Sequence, residues 1–160
     1  MINSYPTSER LVIDTGVFVE YIQARASLRS SVAKLFSEAV EGRIELIANW
    51  LTLSEVFYVA SRIYEFAKVE KPNEEALNYI EWLRTFIKVV DTNMGVALKA
   101  AELKKQLKLS ILDCIVIATA KEYKAKPLFK HLEKEMKPVE GELRKLGVIF
   151  LSELKHSNIR

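Results

Sequence analysis

One cysteine, two histidines, four prolines and five glycines are spread over 160 residues. Each scarcity excludes something. A lone Cys114 can form no internal disulfide and supports no zinc cluster, which favours a reducing cytoplasm. With His131 and His156 alone, no histidine metal cluster is available either. Every apolar run is interrupted by Asp, Glu, Lys or Arg before it reaches a membrane-spanning length. The opening "MINSYPTSER" has no apolar h-region, so no secretory signal is expected there. Glutamine is scarce while lysine and glutamate abound, a lean toward heat-stable composition.

What remains is a chain with 49% hydrophobic residues, enough for one folded core rather than disorder. The formal net charge is +3, but it is uneven. Residues 97–137 carry ten Lys against five acids, an excess of +5, which leaves the rest of the chain at −2. A basic stretch suits a phosphate partner, and it equally describes a solvated helix face.

Strand-like apolar runs alternate with helical periodicity. "RLVID", "RIELIAN", "FIKVV", "AKPLF" and "LGVIFLSEL" read as strands. Between them lie a short helix at 16–23, then helices over "SLRSSVAKLFSEAVEG", "LTLSEVFYVASRIYEFAK", the segment opened by Pro72, "NMGVALKAAELKKQL" and "SILDCIVIATAKEY". A Lys- and Glu-rich helix is expected after the fourth strand. Strands apolar on both faces imply an α/β fold: a central parallel sheet of four to five strands with helices on both faces.

Asp14-Thr15-Gly16 follows the first apolar run and invites comparison with aspartic proteases. Those are all-β, need Gly-rich flaps and pair two such loops, so helical patterning argues against them. A receiver-like or phosphoryl-transfer use of Asp14 lacks its accompanying acidic pair, late lysine or D-x-D. In an open α/β sheet the ligand crevice lies outside the carboxyl ends of the strands. Asp14 closes strand one. Glu55 lies one turn into the helix after strand two. Asp113 lies one turn into the apolar helix before strand four, and Glu133 and Glu135 come soon after that strand. Taken singly, Asp14 reads as an N-cap, "TLSE" (52–55) as a capping box and "SILD" (110–113) as a looser one. Together they read differently. Asp14, Glu55 and Asp113 are each embedded in apolar sequence with no Lys or Arg in the run. Buried carboxylates that converge repel one another, and a hard divalent cation would relieve that.

These stretches, "LVIDTGVFVEYI", "LTLSEVFYVA" and "LSILDCIVIATAKEYKAKPLF", resemble the PIN domain, and within it the VapC-type toxin branch, archaeal members especially. The resemblance covers about residues 10–152 of a single domain over 1–160, with a polar tail at 153–160. It rests on three acids in order, 41 and 58 residues apart. It implies a Rossmann-like fold and a metal-dependent endoribonuclease, with Asp14, Glu55 and Asp113 holding Mg²⁺ or Mn²⁺. The family's fourth acid, in a pattern like T-x-D-x-D-F, aligns with "FKHLEKEM". That makes Glu133 the fourth metal and catalytic acid, with Glu135 as the alternative and a three-acid site as another. The chain departs from the pattern here: Asp is replaced by Glu and the Thr is missing. Thr15 and Ser110 match small hydroxyl positions beside the first and third acids, open to water, phosphate or capping roles.

The resemblance further implies hydrolysis to a 5′-phosphate and a 3′-hydroxyl, a VapB-type antitoxin partner, a homodimer and a cytoplasmic location. A catalytically weak PIN module and a non-toxin nuclease of RNA processing are the alternatives. Lys121, Lys124, Lys126 and Lys130 flank the last acidic motif and are candidates to hold RNA. Leu77, Ile80, Trp82 and Leu83 are candidates for the dimer face. Cys114 and His131 are expected to be core and surface residues respectively.

Overall fold

The structure, a computed structural model, describes residues 9–154. The expected architecture is present. Five strands, β1 (Glu9–Ile13), β2 (Ile44–Asn49), β3 (Lys88–Val90), β4 (Lys126–Phe129) and β5 (Ile149–Phe150), form one sheet in the order β3-β2-β1-β4-β5. Every pairing is parallel. Seven α-helices connect them: α1 (Thr15–Ile22), α2 (Arg29–Val40), α3 (Trp50–Phe66), α4 (Pro72–Leu83), α5 (Met94–Leu107), α6 (Ile111–Glu122) and α7 (Glu140–Lys145).

The strands alternate sides as the pleat requires. Leu11, Ile13, Ile44, Leu46, Ala48 and Leu128 pack with α1, α2, α3 and α4 in one core. Val12, Ile47, Val90, Phe129 and Phe150 pack with α5, α6 and α7 in the other. Both faces are covered, which is why the strands read as unbroken apolar runs. The apolar helix α6 is buried from Cys114 through Ala120.

The chain builds outward from β1 to β2 and β3, then returns to place β4 on the other side of β1. Strand order therefore reverses between β1 and β4, and a crevice opens there at the carboxyl ends. The Asp14 N–H donates to the Leu128 carbonyl across this point at 3.0 Å.

Two expectations are corrected. "LGVIFLSEL" is not strand throughout: β5 has two residues, and 151–153 turn as a 3₁₀ helix. As an edge strand it has only β4 to pair with, over two positions. The Ser152 N–H then reaches the Lys130 carbonyl, and Arg144 binds Glu153, drawing the chain out of the sheet. Likewise no α-helix follows β4 directly. Residues 130–136 form bends and a turn, and the α-helix begins only at Glu140. Of this stretch only Met136 is fully buried, so there is no apolar stripe to hold a helix, and Pro138 lacks an N–H to extend one.

Candidate metal centre

Asp14 ends β1 and caps α1. Its Oδ2 accepts from the Gly16 N–H at 3.2 Å, so the capping use of this residue is real. Capping does not neutralise it. Burial and the charges of Asp113 and Glu55 push its carboxyl up to about 7, against the pull of the Gly16 and Thr15 amides. A carboxyl that titrates near neutrality is held between two demands, desolvation and like charge.

Glu55 sits one turn and a half into α3, half-buried. The expected capping box at 52–55 does not form. Asn49, fully buried, is the cap: its side chain accepts from the Leu51 N–H at 2.9 Å and from the Thr92 hydroxyl at 2.9 Å. Thr52 is buried inside the helix. An Asn immediately before an apolar-periodic run was the signal for this cap. Glu55 is free of that duty, and its Oε2 instead accepts from the Thr15 hydroxyl at 2.6 Å.

Asp113 lies in the first turn of α6, behind a Ser110 cap whose Oγ accepts from the Asp113 N–H at 3.1 Å. Burial raises its carboxyl most, with Glu55 and Glu135 adding to it and the Ser110 hydroxyl opposing. Asp14, Glu55 and Asp113 thus come from three separate elements and feel one another's charge at the carboxyl ends of the strands.

The turn after β4 alters the setting of the fourth acid. On a helix, residues two apart would diverge; in this turn the Glu133 and Glu135 carboxyls lie near enough for the Glu135 charge to act on Glu133. Glu133 is exposed overall, yet its carboxyl is raised by desolvation first, then by Glu135 and by Asp113, with Lys130 pulling the other way. Both glutamates bear on Asp113.

Among the described residues, none of Asp14, Glu55, Asp113, Glu133 and Glu135 has a Lys, Arg or His within ion-pairing distance. Nor are any three of His, Cys, Asp and Glu drawn into a coordination sphere. Two of the acids are turned instead to protein donors: Asp14 to the Gly16 N–H and Glu55 to the Thr15 hydroxyl.

The candidate lysines separate. β4 runs from Lys126 at the amino end of the sheet, beside Leu11 and paired to Glu9, up to Phe129. Lys121, Lys124 and Lys126 therefore stand at the opposite end from the acids. Lys130 alone is at the crevice, where its Cβ would lie 3.5 Å from a Cβ added to Gly16. Its Nζ lies 3.4 Å from Oε2 of Glu20, a buried residue whose Oε1 accepts from the Leu28 N–H. Glu20 escaped the sequence reading, although a lone acid in "GVFVEYI" was the signal. Cys114 is fully buried, and burial followed by the Asp113 charge pushes its thiol up to about 11, so it is no nucleophile. His131 is exposed; His156 lies outside the described residues.

The PIN domain family model matches residues 11–141. The chain belongs to the PIN domain family. PIN domains are nucleases and generally depend on a divalent metal. No curated protein matches the chain in sequence. Among solved structures, similar folds include the VapC20 toxin of Mycobacterium tuberculosis, described as cleaving the sarcin–ricin loop. It is 12% identical with a TM-score of 0.63, over 87% of this chain and 96% of that one. The VapBC-1 complex of nontypeable Haemophilus influenzae aligns at 18% identity and TM-score 0.61, over 90% and 99%. A toxin–antitoxin complex from Klebsiella pneumoniae aligns at 15% and 0.60, over 88% and 97%. At these identities the likeness is one of PIN fold.

Proposed function

We propose that this PIN protein is a divalent-metal-dependent endoribonuclease, the toxin of a toxin–antitoxin pair with a VapB-type antitoxin. One observation carries the reading. Three carboxylates from the β1 end, α3 and α6 stand toward the switch point with no basic partner among the described residues, and burial, with the charges of Asp113 and Glu55 added, pushes Asp14 up to about 7. The donor set is all oxygen, without imidazole or thiolate, which suits hard Mg²⁺ or Mn²⁺. Asp14, Glu55, Asp113 and Glu133 would hold the ion. When bound it would activate a water and brace the phosphoryl oxygens of an in-line displacement.

The chain's own groups supply the rest. The α1 and α6 N-termini, with their outward amides, favour the anionic carboxylates and a nearby phosphate. Lys130, at the mouth, is the lysine placed to meet the RNA backbone. Glu133, exposed in the turn, or Asp113 would take the proton of the attacking water. RNA preference would come from contacts to unstacked bases.

The outlying position of the fourth acid favours one second reading, a PIN module of weak catalysis that still binds RNA. Cleavage of single-stranded and structured RNA with Mg²⁺ or Mn²⁺, beside an Asp14→Asn control and a chelator, separates the two. Calorimetry showing no ion binding at millimolar concentration sinks the metal-nuclease reading outright.

We also assign the protein to the cytoplasm, as one domain over 1–160. No helix among the described residues is long and apolar enough to cross a membrane. A homodimer through α4, or through α3 before it, is part of this proposal. Of the four residues named for it, Ile80 and Leu83 are buried in this chain's own core, so the dimer face is left to Leu77 and Trp82, both exposed. A monomer by light scattering at tens of micromolar removes it.

A further inference from the structure

We propose that Thr15 is a positioning residue that fixes Glu55 for ion binding, presenting Oε1 as the oxygen left for the ion. This rests on the reading of Glu55 as an ion ligand. The Thr15 hydroxyl donates to Glu55 Oε2 at 2.6 Å, across 40 residues of sequence and between α1 and α3. A contact this short between a hydroxyl and a carboxylate is a charge-assisted hydrogen bond, the stronger kind. Thr15 is 8% exposed, so water competes little for it.

The hydroxyl has no other local duty. The capping position of α1 belongs to Asp14, whose own carboxylate takes the Gly16 N–H. Thr15 is the first helical residue, placed so that the turn which aims Asp14 also aims its hydroxyl at α3. Adjacent residues therefore serve two acids: Asp14 directly, Glu55 through the bond from Thr15. A glutamate side chain has several freely rotating bonds, and ordering it at the moment of binding weakens affinity. Holding one oxygen beforehand removes most of that cost and leaves a single free oxygen, as partners behind a ligand commonly do.

The test is titration calorimetry of the full chain with Mn²⁺ alone, without RNA, on Thr15→Val, Thr15→Ser, Glu55→Gln and the Thr15→Val/Glu55→Gln double variant. Valine keeps the branched shape and loses only the hydroxyl. Thr15→Val should bind Mn²⁺ about tenfold more weakly, within the range for partners behind a ligand. Thr15→Ser should match wild type, and the double variant should bind no worse than Glu55→Gln. If Thr15→Val binds as tightly as wild type while Glu55→Gln is weakened, the positioning role is wrong and the metal-centre reading stands. The positioning role is equally wrong if the valine loss adds in full to that of Glu55→Gln, because the hydroxyl would then act elsewhere. If Glu55→Gln itself binds like wild type, Glu55 is no ligand, and both the assignment and this inference fall. Should Thr15→Val not fold, the same cycle with Thr15→Ala decides.

Discussion

The two ends of the sheet treat their acids in opposite ways. At the amino end every carboxylate of the strands has a cation. Arg10 donates from Nε to Glu45 at 2.7 Å and from Nη1 to the Tyr123 carbonyl at 2.6 Å. Lys126 meets Glu9 at 2.9 Å, and Lys88 approaches the far oxygen of Glu45 at 4.0 Å. At the carboxyl end Asp14, Glu55 and Asp113 act on one another by charge without a cation paired to any of them among the described residues, and Lys130 is turned to Glu20. The strands are the same, so the difference lies in pairing and in burial. The amino end pairs its acids within the chain, whereas the proposed site at the carboxyl end leaves its acids to a cation from outside.

The largest effect should come from removing that asymmetry at its centre. Asp14→Asn takes away the most strongly raised acid and a proposed ligand together. Ribonuclease activity at fixed Mn²⁺ should fall about a hundredfold or more, roughly 2.7 kcal/mol of transition-state stabilisation. Metal-free Tm, by scanning calorimetry, should rise rather than fall, since Asn accepts the same Gly16 N–H without the charge. A stable and fully active variant would contradict the proposed site.

Next in size is the pair after β4. Because the Glu135 charge acts on Glu133 and both act on Asp113, each can cover in part for the other. Glu133→Gln should lower cleavage by about tenfold, some 1.4 kcal/mol, Glu135→Gln by less, and the double variant by more than the product of the two. Two near-normal single variants with a near-normal double variant would show that three acids suffice.

How much of this was legible in the sequence follows from what each feature depends on. The order of strands and helices was readable because burial on both faces leaves unbroken apolar blocks. The placement of Asp14, Glu55 and Asp113 was readable because acids inside such blocks, just past strands, have few other settings. The turn at 130–136 was not, since a Lys- and Glu-rich segment has helix-forming composition whether or not an apolar stripe supports it. Nor was the Thr15–Glu55 bond, which depends on α1 meeting α3. The charge pairs of the amino end were hidden for the same reason: Arg10 and Glu45 are register partners only after β1 and β2 align.

A smaller effect is expected from pH. An unfolded Asp14 titrates near 3.8 and the folded one near 7. Between those values the folded chain keeps a proton that the unfolded chain has lost, so ν is greater for the native state and stability falls as pH rises. The loss is complete above about 7, and the raised carboxyls of Asp113 and Glu133 add with the same sign. Glu153 works the other way, because the Arg144 hydrogen bond holds its carboxyl low; that contribution is present at neutral pH and is lost in acid. Metal-free Tm should therefore be lower at pH 8 than at pH 5.5 by about 4 °C or more, a change of order 1 kcal/mol for a domain of this size. Saturating Mg²⁺ should close the gap by binding only the native state, and Asp14→Asn should flatten it. An unchanged Tm across this window would remove the burial and like charge on which the comparison of the two ends rests.

The smallest effect tests the paired end. Arg10→Gln strips Glu45 of its nearest cation and frees the Tyr123 carbonyl, but both partners are about one-third exposed and Lys88 remains close by. Pairs at such exposure contribute little, so the loss should be near 1 kcal/mol, a drop in Tm of a few degrees. Two further features separate this variant from those of the crevice. The drop should shrink in high salt, which screens a partly exposed pair, and Mg²⁺ should not reverse it, since Glu45 has no second and third carboxylate beside it to share an ion. Ribonuclease activity at a temperature well below Tm should stay at the wild-type level. Recovery of the Arg10→Gln stability by millimolar Mg²⁺ would mean that the amino end too can take a cation from outside, and the contrast between the ends would no longer locate the site.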